Sequence, residues 1–207
     1  MTSDNLRTFK PEKLFAPRDF SQLTIRQPQY LEIGAGRGKH ALMFAQDNPD
    51  KHLIAIERTR NKFNDFAEKA EQLSLGNLMA VHADAIPWVV HALEPKSLAG
   101  VFLLYPNPEP KNPSQRWLNM PFFEFLLSRM QDNAKLVLAT NIESYIEEAE
   151  QLAREQWQLG PNVFEVDKSS QRTHFEVKYL ARGETCWQMD IIKPEGYQTR
   201  FDEWIKE

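Results

Sequence analysis

Short apolar runs alternate along this chain with stretches in which apolar positions recur every three or four residues. "QYLEIGAG" predicts a buried strand running into glycines, and "KHALMFAQ" a helix with Ala41, Leu42, Phe44 and Ala45 on its apolar side. "HLIAIE" predicts a second strand, followed by a helix from about Asn61 to Leu73. "NLMAVHAD" is a third strand, with a shorter helix over "AIPWVVHAL". "GVFLLY" is the fourth, "FFEFLLSRM" a helix, and "AKLVLAT" the fifth. "ESYIEEAEQLAREQW" predicts a helix with an acidic solvent face, and "NVFEV" with "TCWQMDIIK" a terminal strand pair. Continuous apolar strands separated by helices imply an α/β fold, a mostly parallel sheet covered on both faces.

At 207 residues the chain is read as one domain, residues 30–207, preceded by a polar, proline-punctuated and partly ordered arm over residues 1–29. No apolar run approaches membrane-spanning length. A single cysteine, Cys186, cannot close an internal disulfide, so a reducing cytoplasm is the expected location. The formal charge of −4 argues against broad, non-specific nucleic-acid binding, while leaving room for a local basic patch.

In such sheets ligands bind beyond the carboxyl ends of the strands. After the first strand stands Glu32-Ile33-Gly34-Ala35-Gly36-Arg37-Gly38, a G-x-G-x-G turn that lets the backbone approach a ligand, or is only a turn. The second strand ends in Glu57, 23 positions past Gly34, close to the spacing at which a carboxylate accepts from a ribose diol; a solvated strand end is the plainer reading. The third ends in Asp84, which could contact an adenine amino group or cap the next helix. In this order and at consecutive strand ends, the three suggest a nucleoside cofactor without a pyrophosphate, S-adenosylmethionine.

The fourth strand stops abruptly in "YPNPEPKN". Prolines at alternate positions cannot continue a central strand, so the chain turns rigidly there with Asn107 at the tip. Asn107 is a working residue, the remnant of a lost one, or only a turn former.

"YLEIGAGRGKHALMFAQDNPDKHLIAIE", "LMAVHADA", "YPNPEPK", "LATNIESY" and "RTHFEVKYLARGE" stand in the order found in the bacterial tRNA (guanine-N7)-methyltransferase family. The chain resembles a divergent member of that family over roughly Tyr30 to Lys193. The resemblance implies a Rossmann-like S-adenosylmethionine-dependent methyltransferase fold and methylation of a variable-loop guanine of tRNA. It implies that Glu32, Gly34, Gly36, Glu57, Asp84 and Asn107 contact the cofactor and that Asn107 also takes the catalytic position. Lys111, Asn141, Thr173 and Glu176 are implied on the substrate side. The expected partner is tRNA, with no membrane, no metal, and a monomer or weak homodimer.

The substrate side departs from the family pattern. Asn107 and Asn141 stand where the family has aspartates, Glu109 replaces a tryptophan, and a dense basic run has shrunk to "NPSQRW". Guanine N7 carries a lone pair and no proton, so methylation needs alignment and electrostatic support rather than a general base. An amide can still orient a base through its carbonyl. Three other readings stand beside this one: a diverged paralogue that has lost tRNA methylation and acts on a small molecule, a non-catalytic binding protein, and an exocyclic-amine methyltransferase suggested by Asn107-Pro108. Thr140-x-x-Glu143 reads as a capping box, whereas Thr173-x-x-Glu176 fits either a capping box or the substrate-side motif. Lys111 and Arg116 could be ordinary surface cations, whereas Lys168, Arg172, Lys178 and Arg182 form the clearest basic cluster for phosphate contact. Trp88 and Trp117 read as core or interface, and His40, His82 and His174 have no metal-ligand spacing.

Overall fold

The computed structural model describes residues 7–18, 20–21 and 28–206. Strands β1 (Gln29–Ile33), β2 (His52–Glu57), β3 (Leu78–His82), β4 (Leu98–Leu104), β5 (Met130–Thr140), β6 (Pro161–Glu165) and β7 (Trp187–Ile192) form one sheet in the order β3-β2-β1-β4-β5-β7-β6. From β3 to β5 every pairing is parallel, and β7 enters antiparallel between β5 and β6. The helices are α1 (Lys39–Asp47), α2 (Arg60–Gln72), α3 (Ala85–Ala92), α4 (Phe122–Arg129), α5 (Glu143–Glu155) and α6 (His174–Ala181).

The two-residue period of the strands decides which helices cover which face. Leu31, Ile33, Ile54, Ile56, Val101 and Leu103 point to one side, where Trp88 and Val89 of α3, the phenylalanines of α4, and Tyr145 and Ile146 of α5 fill the core. Leu53 and Ala55 point to the other, against Ala41 and Leu42 of α1 and Phe66 of α2. Side chains buried on both faces explain why the strands read as unbroken apolar runs.

Three expectations need correction. The apolar pattern does not mark helix α6, although Thr173-x-x-Glu176 fits a capping box; Thr173 is its N-cap, and its side chain accepts from the Glu176 amide at 2.9 Å. Thr140 does not cap α5. The N-cap there is Ile142, whose amide donates to Thr140 Oγ1 at 3.1 Å. Strand β5 begins at Met130, directly after α4, because Asn133 at φ +64 lets the chain bulge and stay in the sheet.

Of the arm expected over residues 1–29, residues 1–6, 19 and 22–27 lie outside the described residues, and Gln29 already belongs to β1. Phe9 packs against Phe122, Phe125 and Phe201, with ring centroids 5.4 to 6.1 Å apart. Arg200 donates to both Thr8 and the buried Glu124, so the two ends of the chain meet over α4.

Candidate functional site

The carboxyl ends of β1 and β2 are joined through the glycine turn. The amides of Gly34 and Ala35 donate to Ile56 O at 2.8 and 2.9 Å, and the Gly38 amide donates back to Ala35 O at 2.9 Å. Gly34, Gly36 and Gly38 take φ of +80, +59 and +79, the left-handed region in which a Cβ is strained. Their surroundings differ. A Cβ on Gly38 would fall 2.0 Å from the Phe66 ring, so this glycine lets α2 pack against the turn. A Cβ on Gly34 or Gly36 would meet nothing within 4 Å, so those two border open space at the strand ends.

Glu57 closes that space from the β2 side. Its buried carboxylate accepts from the Gly36 amide at 2.8 Å and the Thr59 amide at 2.6 Å. Two oxygens offer about four acceptor positions, so capacity is left for a diol. Glu32 is buried and holds His40 Nδ1 of α1 at 2.8 Å, which ties the turn to its helix. Asp84 is the N-cap of α3, accepting from the Ile86 amide at 3.0 Å, and remains exposed.

Across the sheet, Tyr105 follows β4 at φ +52, its amide donating to Ala139 O at 2.7 Å. Beyond it Asn107 is exposed, and its Nδ2 donates to Glu109 Oε1 at 2.7 Å. Arg116 is drawn inward: Nε donates to Pro108 O at 2.8 Å and Nη1 pairs with Glu148 at 2.6 Å, which braces the proline loop. Lys111 is exposed on that loop. After β5, Asn141 Nδ2 donates to Glu184 Oε2 at 2.8 Å.

Glu176 is wholly buried beneath these loops. Tyr105 Oη donates to it at 2.5 Å, Arg172 Nη2 at 2.7 Å and Nε at 3.1 Å, and Ser170 Oγ closes the set. Burial pushes the Glu176 carboxyl upward, but the bonds from Arg172, Ser170 and Tyr105 outweigh it and hold it at about 2. Burial and the same carboxylate push the Tyr105 phenol far above its ordinary value. Arg172 also donates to Gln188 at 2.6 Å, so it leaves the basic cluster expected from the sequence and serves as an internal tie. Lys168, Lys178 and Arg182 stay exposed. A shallow cleft of mixed charge lies between the glycine turn, α2 and α6, lined by Arg37, Asp65, Glu68, Lys69, Gln72 and His174, with Arg37 paired to Asp65. Burial lowers the His174 pKa, and Lys39, Lys69 and Arg37 lower it further.

The structure thus brings Gly34, Gly36 and Glu57 to one end of the sheet with Asn107, Lys111 and Asn141, while Glu32 and Glu176 are buried and Thr173 caps α6. Tyr105, Ser170 and Arg172 were not foreseen as partners of Glu176. Only the position of Tyr105 at a strand end hinted at its role.

A sheet of order 3-2-1-4-5-7-6 with an antiparallel β7, and an acidic residue of β2 bonded to a glycine turn after β1, define an S-adenosylmethionine-dependent methyltransferase. A methyltransferase of Aquifex aeolicus described as dependent on that cofactor shares the fold, with a TM-score of 0.57 and 16% identity over 82% of this chain and 84% of the other. A family model described as "Putative methyltransferase" matches residues 26–189. The tRNA (guanine-N(7)-)-methyltransferase of Nitrosospira multiformis is 30% identical over 174 residues, 82% of this chain and 76% of that one. The chain belongs to the tRNA (guanine-N7)-methyltransferase family. It is also 28% identical over 154 residues to a bifunctional methyltransferase of Rickettsia bellii, of which it spans 26%. Among the described residues no helix is long and apolar enough to cross a membrane.

Proposed function

We propose that this protein methylates N7 of a guanine in the variable loop of tRNA, using S-adenosylmethionine, in a reducing cytoplasm. The observation that carries the reading is the pair of left-handed glycines, Gly34 and Gly36, that border open space beside the Glu57 carboxylate. A backbone stripped of side chains and an acceptor for a diol fit the nucleoside of that cofactor. Gly34, Gly36 and Glu57 hold it there, Asp84 borders its base, and Glu32 acts through His40 to keep the turn in place. The cofactor supplies an electrophilic methyl group.

The protein's own part is to bind and align the purine. N7 has no proton to lose, and the ring becomes cationic on methylation, so this end of the sheet needs acceptors and negative charge rather than a base. Asn107 and Asn141, which follow β4 and β5 at this end of the sheet, supply amide acceptors for the purine. Lys111 offers an exposed cation to a phosphate. Thr173 and Glu176 act through α6: the cap and the buried carboxylate fix the helix against Tyr105.

The test is transfer of a labelled methyl group to tRNA lacking 7-methylguanosine, with the modified position mapped. Label at a variable-loop guanine is expected. Protein that binds S-adenosylmethionine yet leaves tRNA unlabelled would overturn the substrate assignment.

A further inference from the structure

At the ends of β4 and β5 two asparagines meet two glutamates. Asn107 donates to Glu109 and Asn141 to Glu184, across 2.7 and 2.8 Å. The strands are parallel neighbours with Leu104 opposite Ala139, so both pairs leave the sheet at the same end. Each amide spends a donor on a carboxylate. Negative charge is therefore present here, carried one side chain away from each asparagine.

The two carboxylates differ in how far they are neutralised. Glu184 Oε1 lies 3.9 Å from a guanidinium nitrogen of Arg182. Glu109 forms no ion pair among the described residues. Of the two cations on its loop, Arg116 is held by Glu148 and Pro108 O, and Lys111 is exposed and makes no ion pair among the described residues. The Glu109 backbone sits at φ +44, and its amide turns toward Asn107 Oδ1 at 3.5 Å. Oε1 is engaged by Asn107, while Oε2 takes no hydrogen bond from the described residues.

We propose that Glu109, held by Asn107, accepts the N1–H and N2–H donors of the substrate guanine; the assignment rests on the guanine-N7 reading above. An ionised carboxylate only accepts, and it matches an edge bearing two adjacent donors. Adenine carries neither donor at those positions, so the same carboxylate selects against it. Guanine becomes cationic on N7 methylation, and a fixed negative charge beside its ring is worth more in the transition state than before it. Asn107 is a positioning residue: a neutral donor orients Glu109 without cancelling its charge. An aspartate at 107 would set two carboxylates against each other and force one to bind a proton.

The experiment compares methyl transfer to tRNA lacking 7-methylguanosine by wild type, Glu109→Gln, Asn107→Asp, and the exchanged pair N107D/E109Q, across pH. Glu109→Gln is expected to lower kcat/KM by about 10- to 100-fold, the range for losing one hydrogen bond to a charged group. Asn107→Asp is expected to keep activity toward acid pH, where a shared proton leaves one donor and one carboxylate charge as in wild type, and to lose it as pH rises and the two carboxylates repel. The exchanged pair restores one carboxylate and one amide, so it is expected to recover most of the activity that Glu109→Gln loses. A merely structural Asn107–Glu109 bond would be rebuilt by the same exchange, so thermal melts are run beside the rates. A structural bond lowers the melting temperature of Glu109→Gln and restores it in the exchanged pair, whereas a substrate contact leaves the melts unchanged. Wild-type rates in Glu109→Gln, or an exchanged pair no better than Glu109→Gln, would overturn the assignment alone. A wild type silent on tRNA would overturn the guanine-N7 reading, and this assignment with it.

Discussion

Tyr105, the first residue beyond β4, donates its phenolic hydrogen to Glu176 Oε2 across 2.5 Å, joining the sheet to a helix 71 positions further along. Removing that hydroxyl leaves a buried carboxylate short of one donor. Tyr105→Phe should cost about 1–3 kcal/mol, read as a lower urea midpoint with an unchanged slope. A midpoint equal to wild type would show the bond to be dispensable.

The same carboxylate sets an acid limit on the fold. Glu176 is held at about 2 when folded, below the ordinary value of about 4.3. A carboxyl group that binds its proton less readily in the folded state adds stability above its unfolded value and loses it as pH falls through the folded one. The stability gap between wild type and Glu176→Gln should therefore be full near neutrality and shrink from about pH 5 toward pH 2. Chemical denaturation at neutral pH and at about pH 3 checks this; equal gaps would contradict it.

Two glycines of one turn should fail in different ways. Gly38→Ala drives a Cβ into Phe66, so a stability loss of at least about 1–3 kcal/mol is expected from the overpacking, with left-handed strain added. Gly36→Ala meets no neighbour, and its larger effect should fall on the affinity for S-adenosylmethionine, because the new methyl enters the open space. Thermal melts and calorimetric titration of both variants separate the two. Equal melting and equal affinity losses would show that the space over Gly36 is not the cofactor's.

Glu57→Gln keeps the shape of the side chain and removes its charge. Hydrogen bonds to a charged acceptor are worth about 1.5–3 kcal/mol, so affinity for S-adenosylmethionine should fall by about 10- to 100-fold. Calorimetry gives the number directly. Unchanged affinity would leave Glu57 as a brace for Gly36 and Thr59 only.

Lys111 and Arg116, five positions apart on one loop, should separate as well. Lys111→Ala should weaken tRNA binding at every salt concentration tested and flatten the salt dependence by about one unit of slope. Arg116→Ala should instead loosen the loop, since it breaks the ties to Pro108 O and Glu148. Filter binding across a salt series, beside thermal melts, distinguishes the two outcomes.

The legible part of this protein was local. Strands β1, β2 and β4 announce themselves as apolar runs because both faces of a parallel sheet are buried, and the glycines of the turn were visible because left-handed backbone selects them. Glu57 and Asp84 were marked by their place at strand ends, though whether they bind or brace could not be read there. Helix α6 escaped notice as an element because its short exposed stretch, with Phe175 and Val177 outside, carries little apolar periodicity.

By itself the sequence determined the layers, the order of the motifs and the end of the sheet where chemistry gathers, since these follow from periods of two and 3.6 residues and from the strand-end rule. Only the tertiary structure decided which partners each side chain meets there. Glu176 and Arg172 form an internal pair, and Asn107 and Asn141 donate to Glu109 and Glu184. The reason is physical. A carboxylate's role depends on which donors reach it and whether water does, and its partners here include Tyr105, which comes from 71 positions away.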